Sequence, residues 1–344
     1  MVTIKDVARE AGVAISTVSY ALNDSAPVKA ETRERILKAV EELGYRPSTI
    51  ARGLATRRTN AIGLIIPRPA GKAFSDQVLL DLLRGIGDAA NGQGYNILLA
   101  FENSKDSEHD YWSIYRTKAV DGILFMSPKV NETRYYELVD RKFPFVLLGR
   151  SLERQDMNVV DIDNVVGGYQ ATEHLIVLGH TKIGFISPGP LSYLLSADRL
   201  QGYKQALEDY ELPYNEELVV VGSFTQESGY SAMQELLQRD VQLSAVFVGD
   251  DLLALGAMEA IRAAGLRIPE DVAVLGFNDS LAARIANPSL TSVRVPTYET
   301  GFQGTEILIR NIRYPKTKPK NVVLRTDLVV RQSCGSNRKG ERRS

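Results

Sequence analysis

Six consecutive residues, Ile15-Ser16-Thr17-Val18-Ser19-Tyr20, bring hydroxyl groups, a methyl-rich side chain and one aromatic ring together on a segment with a helical pattern. The outward positions of this segment do not carry the Glu and Lys residues that usually cover an exposed helix. Side chains of this size can reach base edges when a helix lies in the major groove of DNA. The segment therefore indicates DNA recognition. An ordinary three-helix bundle with a solvated face is the alternative.

Three predicted helices position this segment. An apolar series from Val7 to Leu22 is interrupted by Gly12-Val13-Ala14, where a tight turn between two helices needs Gly. Thr3 can cap the first helix, and Asp6 stands where a carboxylate reaches back to the cap. The third helix is predicted from an apolar stripe at helical spacing, formed by Ile36, Val40 and Leu43.

Composition limits the classes of protein to consider. The chain has 344 residues, 44% hydrophobic and 24% charged, as expected for a small module joined to larger globular domains. No apolar run is long enough to span a membrane, and the first residues do not resemble a signal peptide, so a cytoplasmic protein is expected. The single cysteine, Cys334, excludes an internal disulfide and is interpreted as an incidental thiol near a mobile tail.

Charge is distributed unevenly along the chain. Residues 1–60 contain ten Lys or Arg and seven Asp or Glu, whereas the whole chain has a net charge of −1. A basic head on an acidic body fits polyanion binding at one end, although so small an excess is weak evidence by itself.

From residue 61 the pattern changes to alternating strands and helices. Short apolar runs that read as buried parallel strands begin at Ala61, Asn96, Asp121 and Phe145, and a second series of such runs follows Asn164. Two similar α/β lobes are therefore predicted, with a ligand in the cleft between them, beyond the carboxyl ends of the strands. The residues expected there are Arg68, Phe74, Pro188, Asp250 and Asn278.

Several motifs closely resemble the head of the lactose-repressor (LacI) family of bacterial transcription regulators. They are Thr3-Ile4-Lys5-Asp6-Val7-Ala8, Thr17-Val18-Ser19, Glu31-Thr32-Arg33, Leu43-Gly44-Tyr45-Arg46-Pro47 and Ala51-Arg52-Gly53-Leu54. The resemblance continues to about Arg331, through motifs such as Asp198-Arg199-Leu200-Gln201-Gly202-Tyr203 and Gly276-Phe277-Asn278-Asp279. It implies an all-α helix-turn-helix headpiece followed by a two-lobed α/β body with parallel sheets, similar to periplasmic binding proteins.

The resemblance also implies domain boundaries. The helix-turn-helix domain covers residues 1–46 and a hinge-helix linker covers 47–60. The effector-binding and dimerisation domain covers 61–333, and a disordered tail covers 334–344. Within that domain the first lobe is expected at about 61–162 plus 293–322, and the second at about 163–292 plus 323–333.

Carried over from the family, the DNA-binding residues fall into three groups. Base reading is assigned to Ile15, Ser16 and Tyr20, while Thr17, Ser19 and Asn23 are expected to hold phosphates. Thr3 is placed at the same surface. In the hinge, Leu54 is expected to wedge into the minor groove with Ala51 lining the approach, because apolar wedges of this kind kink DNA. An inert linker is the alternative.

The family also implies an effector site. Arg199 matches an arginine that holds the effector, Phe224 an aromatic residue that stacks on it, and Asp250 and Asn278 polar contacts, with Phe74 at the mouth of the first strand. Family members often carry Asp where Asn278 stands here, which favours a neutral, hydroxyl-bearing ligand. Trp112 is either a platform for a sugar or a packing residue.

The expected protein is a dimeric, ligand-responsive regulator, most simply a repressor of carbohydrate-use genes that a sugar effector releases from a palindromic operator. A co-repressor or non-sugar effector, and more remotely a sugar-binding transport component, are the alternatives. No enzyme, cofactor or metal ion is expected, because the three histidines lack metal-ligand spacing and no catalytic motif occurs. The helix from Leu79 to Ala90 is a candidate dimer surface.

Overall fold

Three helices form the amino-terminal part of the chain: α1 spans Ile4–Ala11, α2 Ile15–Asn23 and α3 Ala30–Glu42. The computed structural model describes residues 2–23, 26–45, 58–66, 70–74, 77–101, 113–126, 129–133, 135–239 and 242–336. The chain divides into two compact units, residues 1–60, called the head, and residues 61–344, called the body.

The head folds around one small apolar core. Val7, Val18 and Ile36, one from each helix, have no exposed surface. Gly12 ends α1 in the left-handed region with φ of 64°, a conformation that Gly adopts without steric cost. The predicted helix-turn-helix and its turn at Gly12 are therefore confirmed.

The helix ends of the head differ in how well they are satisfied. One carboxylate oxygen of Asp6 accepts hydrogen bonds from the amide of Thr3 at 3.0 Å and from its hydroxyl at 2.8 Å. These bonds lower the pKa of Asp6. Lys29 is the N-cap of α3 and its side chain makes no capping hydrogen bond, because an ammonium group cannot accept one.

A parallel sheet of six strands forms the first lobe of the body. Its order is β11-β5-β4-β3-β1-β2, and all five pairs of neighbouring strands are parallel. The strands are β1 Ala61–Ile66, β2 Asn96–Phe101, β3 Gly122–Met126, β4 Phe145–Leu148, β5 Asn158–Ile162 and β11 Asn321–Leu324. The helices of this lobe are α4 Ala70–Ala73, α5 Gln77–Asn91, α6 Ser113–Arg116, α7 Tyr136–Asp140 and α13 Thr297–Arg313.

The second lobe repeats this arrangement with the order β12-β10-β9-β8-β6-β7. Its strands are β6 Ile183–Ser187, β7 Val219–Val221, β8 Ala245–Val248, β9 Ala273–Asn278, β10 Thr291–Arg294 and β12 Asp327–Val329. Its helices are α8 Asn164–Val177, α9 Leu194–Asp209, α10 Gln226–Gln238, α11 Asp251–Ala263 and α12 Leu281–Ile285, with a 3₁₀ turn at Glu216–Leu218. The predicted parallel sheet is confirmed except at one edge, where β12 runs antiparallel to β10.

The chain crosses between the lobes three times, between β5 and α8, between β10 and α13, and between β11 and β12. The predicted lobe boundaries at 293 and 322 are wrong by a few residues, because each would cut a strand. The whole of β10 belongs to the second sheet, and the whole of β11 belongs to the first.

Two helices of the first lobe approach each other closely. A Cβ atom on Gly85 of α5 would lie 2.0 Å from the carbonyl oxygen of Tyr298, in the first turn of α13. The apolar face of α5, with Leu79 and Ile86, is therefore covered inside the lobe. The predicted dimer surface on this helix is reduced to its outer side, where Leu80 is 45% exposed.

The carboxyl-terminal segment is held in the second lobe. Cys334 is 1% exposed, accepts a hydrogen bond from the Thr291 hydroxyl at 3.1 Å, and lies 3.4 Å from Nε2 of His174. Cys334 is thus a packed core residue and not an incidental thiol, and the predicted start of the tail at 334 is wrong. In the part of the chain that the structure describes, no helix is long and apolar enough to cross a membrane.

Candidate functional site

The outer face of α2 carries the side chains predicted to read DNA. Ile15 and Tyr20 are 44% and 45% exposed, and Ser16 is exposed beside them. Thr17 and Ser19 are half-buried at the margins of this face, while Val18 points into the core. A short helix with this division presents small and aromatic side chains outward, as docking in a major groove requires.

Arg33 holds α2 against α3. Its Nη1 donates to the carbonyl oxygen of Ala21 at 2.9 Å, in the last turn of α2. Sequence reasoning noticed Arg33 only within a family motif and did not assign it this role. Because a cation at a helix carboxyl end satisfies its carbonyl groups, Arg33 fixes the helix that is predicted to read DNA.

Four other residues were predicted to bind DNA: Thr3, Asn23, Ala51 and Leu54. The hydroxyl of Thr3 donates to Asp6, so its surface role stays a prediction. Ala51 and Leu54, and the side chain of Asn23, lie outside the described residues.

A cleft with about 680 Å³ of empty space separates the two lobes of the body. Residues at the carboxyl ends of β3, β4, β5 and β9 line it, as the rule for open α/β sheets predicts. Its apolar walls include Leu82, Met126, Leu148, Val160 and Ile162. Its charged and amide side chains are Arg150, Asp161, Asn164, Asp198, Arg199 and Asn278.

Arg199 is the most firmly held polar residue of the cleft. Its side chain is buried, its Nε donates to Oδ1 of Asn164 at 2.9 Å, and its Nη1 donates to the carbonyl oxygen of Gly249 at 2.5 Å. The guanidinium carbon lies 3.8 Å from the centre of the Phe277 ring, a cation–π contact. All of these partners belong to the second lobe, so Arg199 is oriented before any ligand arrives.

Asn278 and Asp250 form a second polar unit of this lobe. Nδ2 of Asn278 donates to Oδ2 of Asp250 at 2.8 Å, and Oδ1 of Asp250 accepts from the amide of Leu252 at 2.8 Å as the N-cap of α11. Asn278 lines the cleft, whereas Asp250 stands behind it. In this structure Asp250 therefore orients Asn278 and does not face the cavity.

The two predicted aromatic residues also stand outside the cavity lining. Phe74 is 49% exposed and packs on Phe101 with ring centres 5.2 Å apart. Phe224 packs edge-on against Tyr193 at 5.4 Å, where the 188–194 segment covers one side of the second lobe. Of the five predicted effector residues, the structure brings Arg199 and Asn278 into the cavity. Arg68 and Trp112 lie outside the described residues.

Three charged residues of the cleft were not predicted: Arg150, Asp161 and Asp198. Arg150 follows β4 in the first lobe, and its Nε donates to Oδ2 of Asp198 on α9 of the second lobe at 2.8 Å. A second hydrogen bond joins Nη2 of Arg150 to Oδ1 of Asp198, making the pair bidentate. Hydrogen bonding to Asp198 raises the pKa of Arg150. This ion pair joins the two lobes across the cleft.

A main-chain contact closes the same cleft at its margin. The amide of Val130, in the first lobe, donates to the carbonyl oxygen of Ser192 in the second at 2.6 Å. Lys129 and Tyr193 form an isolated antiparallel bridge beside it, with Nζ of Lys129 5.5 Å from the ring centre. The lobes are therefore in contact at two places besides the chain crossings, at the Arg150–Asp198 pair and at this margin.

Metal chemistry finds no support in the residues that the structure describes. No group of three or more His, Cys, Asp or Glu side chains among them is placed to hold a metal ion. The polar groups of the cleft are instead guanidinium, carboxylate and amide side chains, several of which pair with one another.

A helix-turn-helix head joined to a two-lobed α/β body with a polar cleft defines a ligand-responsive transcription regulator. Residues 3–48 match the family model of bacterial regulatory proteins, lacI family, and residues 172–334 match a periplasmic binding protein-like domain. The chain is 40% identical over 334 residues to the HTH-type transcriptional regulator CelR of Thermobifida fusca, covering 96% of this chain and 98% of the relative. It is 36% identical over 333 residues to catabolite control protein A of Priestia megaterium, covering 96% and 99%.

Solved structures agree with these relatives. A complex of the regulator CelR with cellobiose has a TM-score of 0.75 at 38% identity, covering 97% of this chain and 100% of that one. A lac repressor dimer bound to operator and an anti-inducer has a TM-score of 0.84 at 26% identity, covering 97% and 99%. The chain therefore belongs to the LacI family of bacterial transcription regulators.

Proposed function

We propose that this regulator binds a near-palindromic operator as a homodimer in the cytoplasm, represses carbohydrate-use genes, and is released when a sugar occupies the interlobe cleft. The observation that carries the proposal is the position of the cleft. Its polar residues come from both lobes, and the Arg150–Asp198 pair crosses it. A ligand bound there contacts both lobes, so its binding depends on how they are arranged.

The head supplies the operator contacts. Ile15, Ser16 and Tyr20 on the exposed face of α2 would meet base edges, and Thr17 and Ser19 would meet phosphates. The lac repressor relative is a dimer on its operator, and a two-fold protein fits a two-fold site. Exposed apolar side chains on α12, Leu281 at 56% and Ile285 at 72%, support a surface for a second copy.

A sugar is the effector that the cleft supports best. Its walls combine apolar side chains with guanidinium, carboxylate and amide groups, which suit the apolar faces and the paired hydroxyls of a carbohydrate. The CelR relative is a complex with cellobiose, which favours a sugar here. A cleft of this kind joined to a helix-turn-helix head favours a regulator over an enzyme or a transport component.

Transmission to DNA requires different affinities of the effector for two arrangements of the lobes. In the proposed mechanism the ligand changes the lobe arrangement, and the hinge at 47–60 loses or gains helix with it. Leu54, with Ala51 lining the approach, would wedge into the operator only in the helical state. A co-repressor would act through the same cleft with the opposite sign.

The test is a mobility-shift titration of the full chain with its own promoter region, with and without cellobiose and other sugars. Binding in the absence of sugar and release by one sugar are expected. Tightening by the sugar would reverse the sign of the proposal, and no DNA binding under any condition would overturn it.

Tyr20→Ala tests the reading face of α2. Loss of the ring should cost about 1–3 kcal/mol of discrimination at one operator position, because one base contact is removed. Binding-site selection measures this preference. Leu37→Ala is the matched control, since Leu37 is 50% exposed on α3 of the same head. Unchanged preference in Tyr20→Ala would contradict the assignment.

A further inference from the structure

Asp161 is the least satisfied charged group of the cleft. It is the second-last residue of β5, lines the cavity and is partly buried. The backbone amide of Ile162 donates to its carboxylate. Within the described residues, no Lys or Arg forms an ion pair with Asp161, whereas Asp198 beside it is paired twice with Arg150.

The two arginines of the cleft are already engaged. Arg150 directs both donor groups of its fork to Asp198. Arg199 donates to Asn164 and Gly249 and stacks on Phe277. The carboxylate of Asp161 lies at a partly buried strand position beside a cavity with apolar walls, and this position carries an energetic cost that further hydrogen-bond donors would relieve. Among the described residues the amide of Ile162 donates to Asp161, and a bound ligand would supply further donors.

We propose that Asp161 determines the specificity of the cleft by accepting hydroxyl groups of an uncharged sugar and by excluding sugars that carry a phosphate or carboxylate. This inference rests on the proposed function, because it concerns the ligand of the same cleft. To the neutral, hydroxyl-bearing ligand that Asn278 favours it adds the exclusion of anionic sugars and a residue, Asp161, to which the family resemblance gives no role.

The charges around the cavity select the ligand class. A phosphorylated sugar would bring negative charge next to Asp161 and Asp198, and Arg150 could compensate only by leaving Asp198 unpaired. A cationic ligand would meet Arg150 and Arg199. An uncharged sugar avoids both penalties, since two adjacent hydroxyls can donate to the two oxygens of one carboxylate.

The test compares wild type with Asp161→Asn by calorimetric titration of the full chain. The probes are cellobiose, glucose, glucuronate, glucose 6-phosphate and phosphorylated cellobiose. Wild type should bind one of the neutral sugars and not its anionic counterpart. Asp161→Asn should lower the affinity for the neutral sugar about ten- to a hundredfold, because charge-assisted hydrogen bonds are replaced by a weaker amide contact. The ratio of the affinities for the neutral and the phosphorylated sugar should also fall.

Asp156→Asn is the matched control, since the Asp156 side chain is 61% exposed on the same lobe and pairs with Arg154 at the surface. It should leave sugar affinity unchanged. A far-ultraviolet melting curve checks that Asp161→Asn folds. Asn is close in size to the protonated carboxyl that burial already favours, so a folded variant is expected.

The pH dependence of binding gives a second readout that a merely structural role would not move. Burial raises the pKa of Asp161 to about 6, and the negative charges of Asp198 and Asp163 contribute to the rise. The hydrogen bond from the Ile162 amide and the positive charge of Arg150 act in the opposite direction. Hydroxyl donors favour the ionised carboxylate, so affinity for the neutral sugar should increase from pH 5 to pH 7. The increase should disappear in Asp161→Asn.

The outcomes separate this inference from the proposed function. Neutral-sugar affinity equal to wild type in Asp161→Asn, or a wild type that prefers the phosphorylated sugar, overturns the role of Asp161 while sugar binding itself stands. Absence of binding by every sugar, with intact operator binding, overturns the sugar effector and with it this inference.

Discussion

The two lobes of the body are built alike but hold their parts of the cleft differently. Both have six-stranded sheets with the same spatial order of strands relative to their chain order. In the second lobe, Arg199 and Asn278 are oriented by partners within that lobe, namely Asn164, Gly249 and Asp250. In the first lobe, Arg150 pairs with Asp198 on the other side of the cleft. Among the described residues, Asp161 forms no ion pair.

This difference divides the work of recognition. A side chain fixed by its own lobe is preorganised, and it keeps its geometry whether the lobes are open or closed. A side chain that depends on the opposite lobe changes its environment whenever the lobes move. Under the proposed function, the second lobe would therefore supply a constant docking surface, and the first lobe would supply the groups that sense both closure and ligand.

The largest effect is expected from Arg199→Ala, which removes the best-held group of the second lobe. The change leaves acceptors of Asn164 and Gly249 without their donor and opens space over Phe277. The free energy of unfolding should fall by about 3 kcal/mol, since hydrogen bonds to a buried charge are lost. Urea unfolding followed by circular dichroism measures this change.

Arg267→Ala is the control for that variant, because Arg267 pairs with Asp271 on the surface of the same lobe and its side chain is 69% exposed. Its effect should stay within about 0.5 kcal/mol. Equal effects of the two variants would show that Arg199 is not preorganised by its lobe.

A smaller effect is expected from Arg150→Ala, which leaves the buried carboxylate of Asp198 unpaired. The free energy of unfolding should fall by about 1–2 kcal/mol, because Arg150 is itself partly exposed. The radius of gyration of the ligand-free protein in small-angle X-ray scattering should rise as the lobes separate. Adding Asp198→Asn should cost little more, with a coupling of about 0.5 kcal/mol or greater. Strictly additive losses would mean that the pair does not hold the lobes.

The smallest effect is expected from Lys129→Ala at the cleft margin. The hydrogen bond there joins main-chain atoms of Val130 and Ser192, so it survives loss of the Lys129 side chain. The contact of Lys129 with the Tyr193 ring is lost, worth about 0.5 kcal/mol at a partly exposed site. Scattering curves of wild type and Lys129→Ala should superimpose. A separation of lobes as large as in Arg150→Ala would assign the closure to the wrong contact.

Local features of the sequence predicted the head well. The turn at Gly12 and the hydrogen bonds between Asp6 and Thr3 each depend on residues within a few positions of one another. Patterns of this kind are visible in a sequence because the interacting groups are close along the chain.

The body was predicted only in part. Long apolar runs marked β1, β3, β4 and β8, but β5, β10, β11 and β12 were not predicted. These strands are short and contain polar residues, such as Asp161 in β5 and the Thr-Ser pair that begins β10, so their periodicity is weak. All four of them flank a lobe crossing, which only the tertiary structure shows.

The cleft shows the same limit. Arg199 and Asn278 were predicted through the family resemblance, and the geometry places both in the cavity. Arg150 and Asp198 are 48 positions apart and belong to different lobes, so no local pattern links them. The rule that ligands lie beyond strand ends applies equally to Arg150 after β4 and to Asp161 in β5, and was not used for them.

The last crossing between the lobes has a genetic consequence. The adjacent strands β11 and β12 complete opposite sheets as their edge members, one in each lobe. A premature stop codon just before Asn321 would therefore strip an edge from both halves of the body at once. Truncations this late in the reading frame should behave as null alleles, although the head and nearly all of the cavity lining would still be encoded.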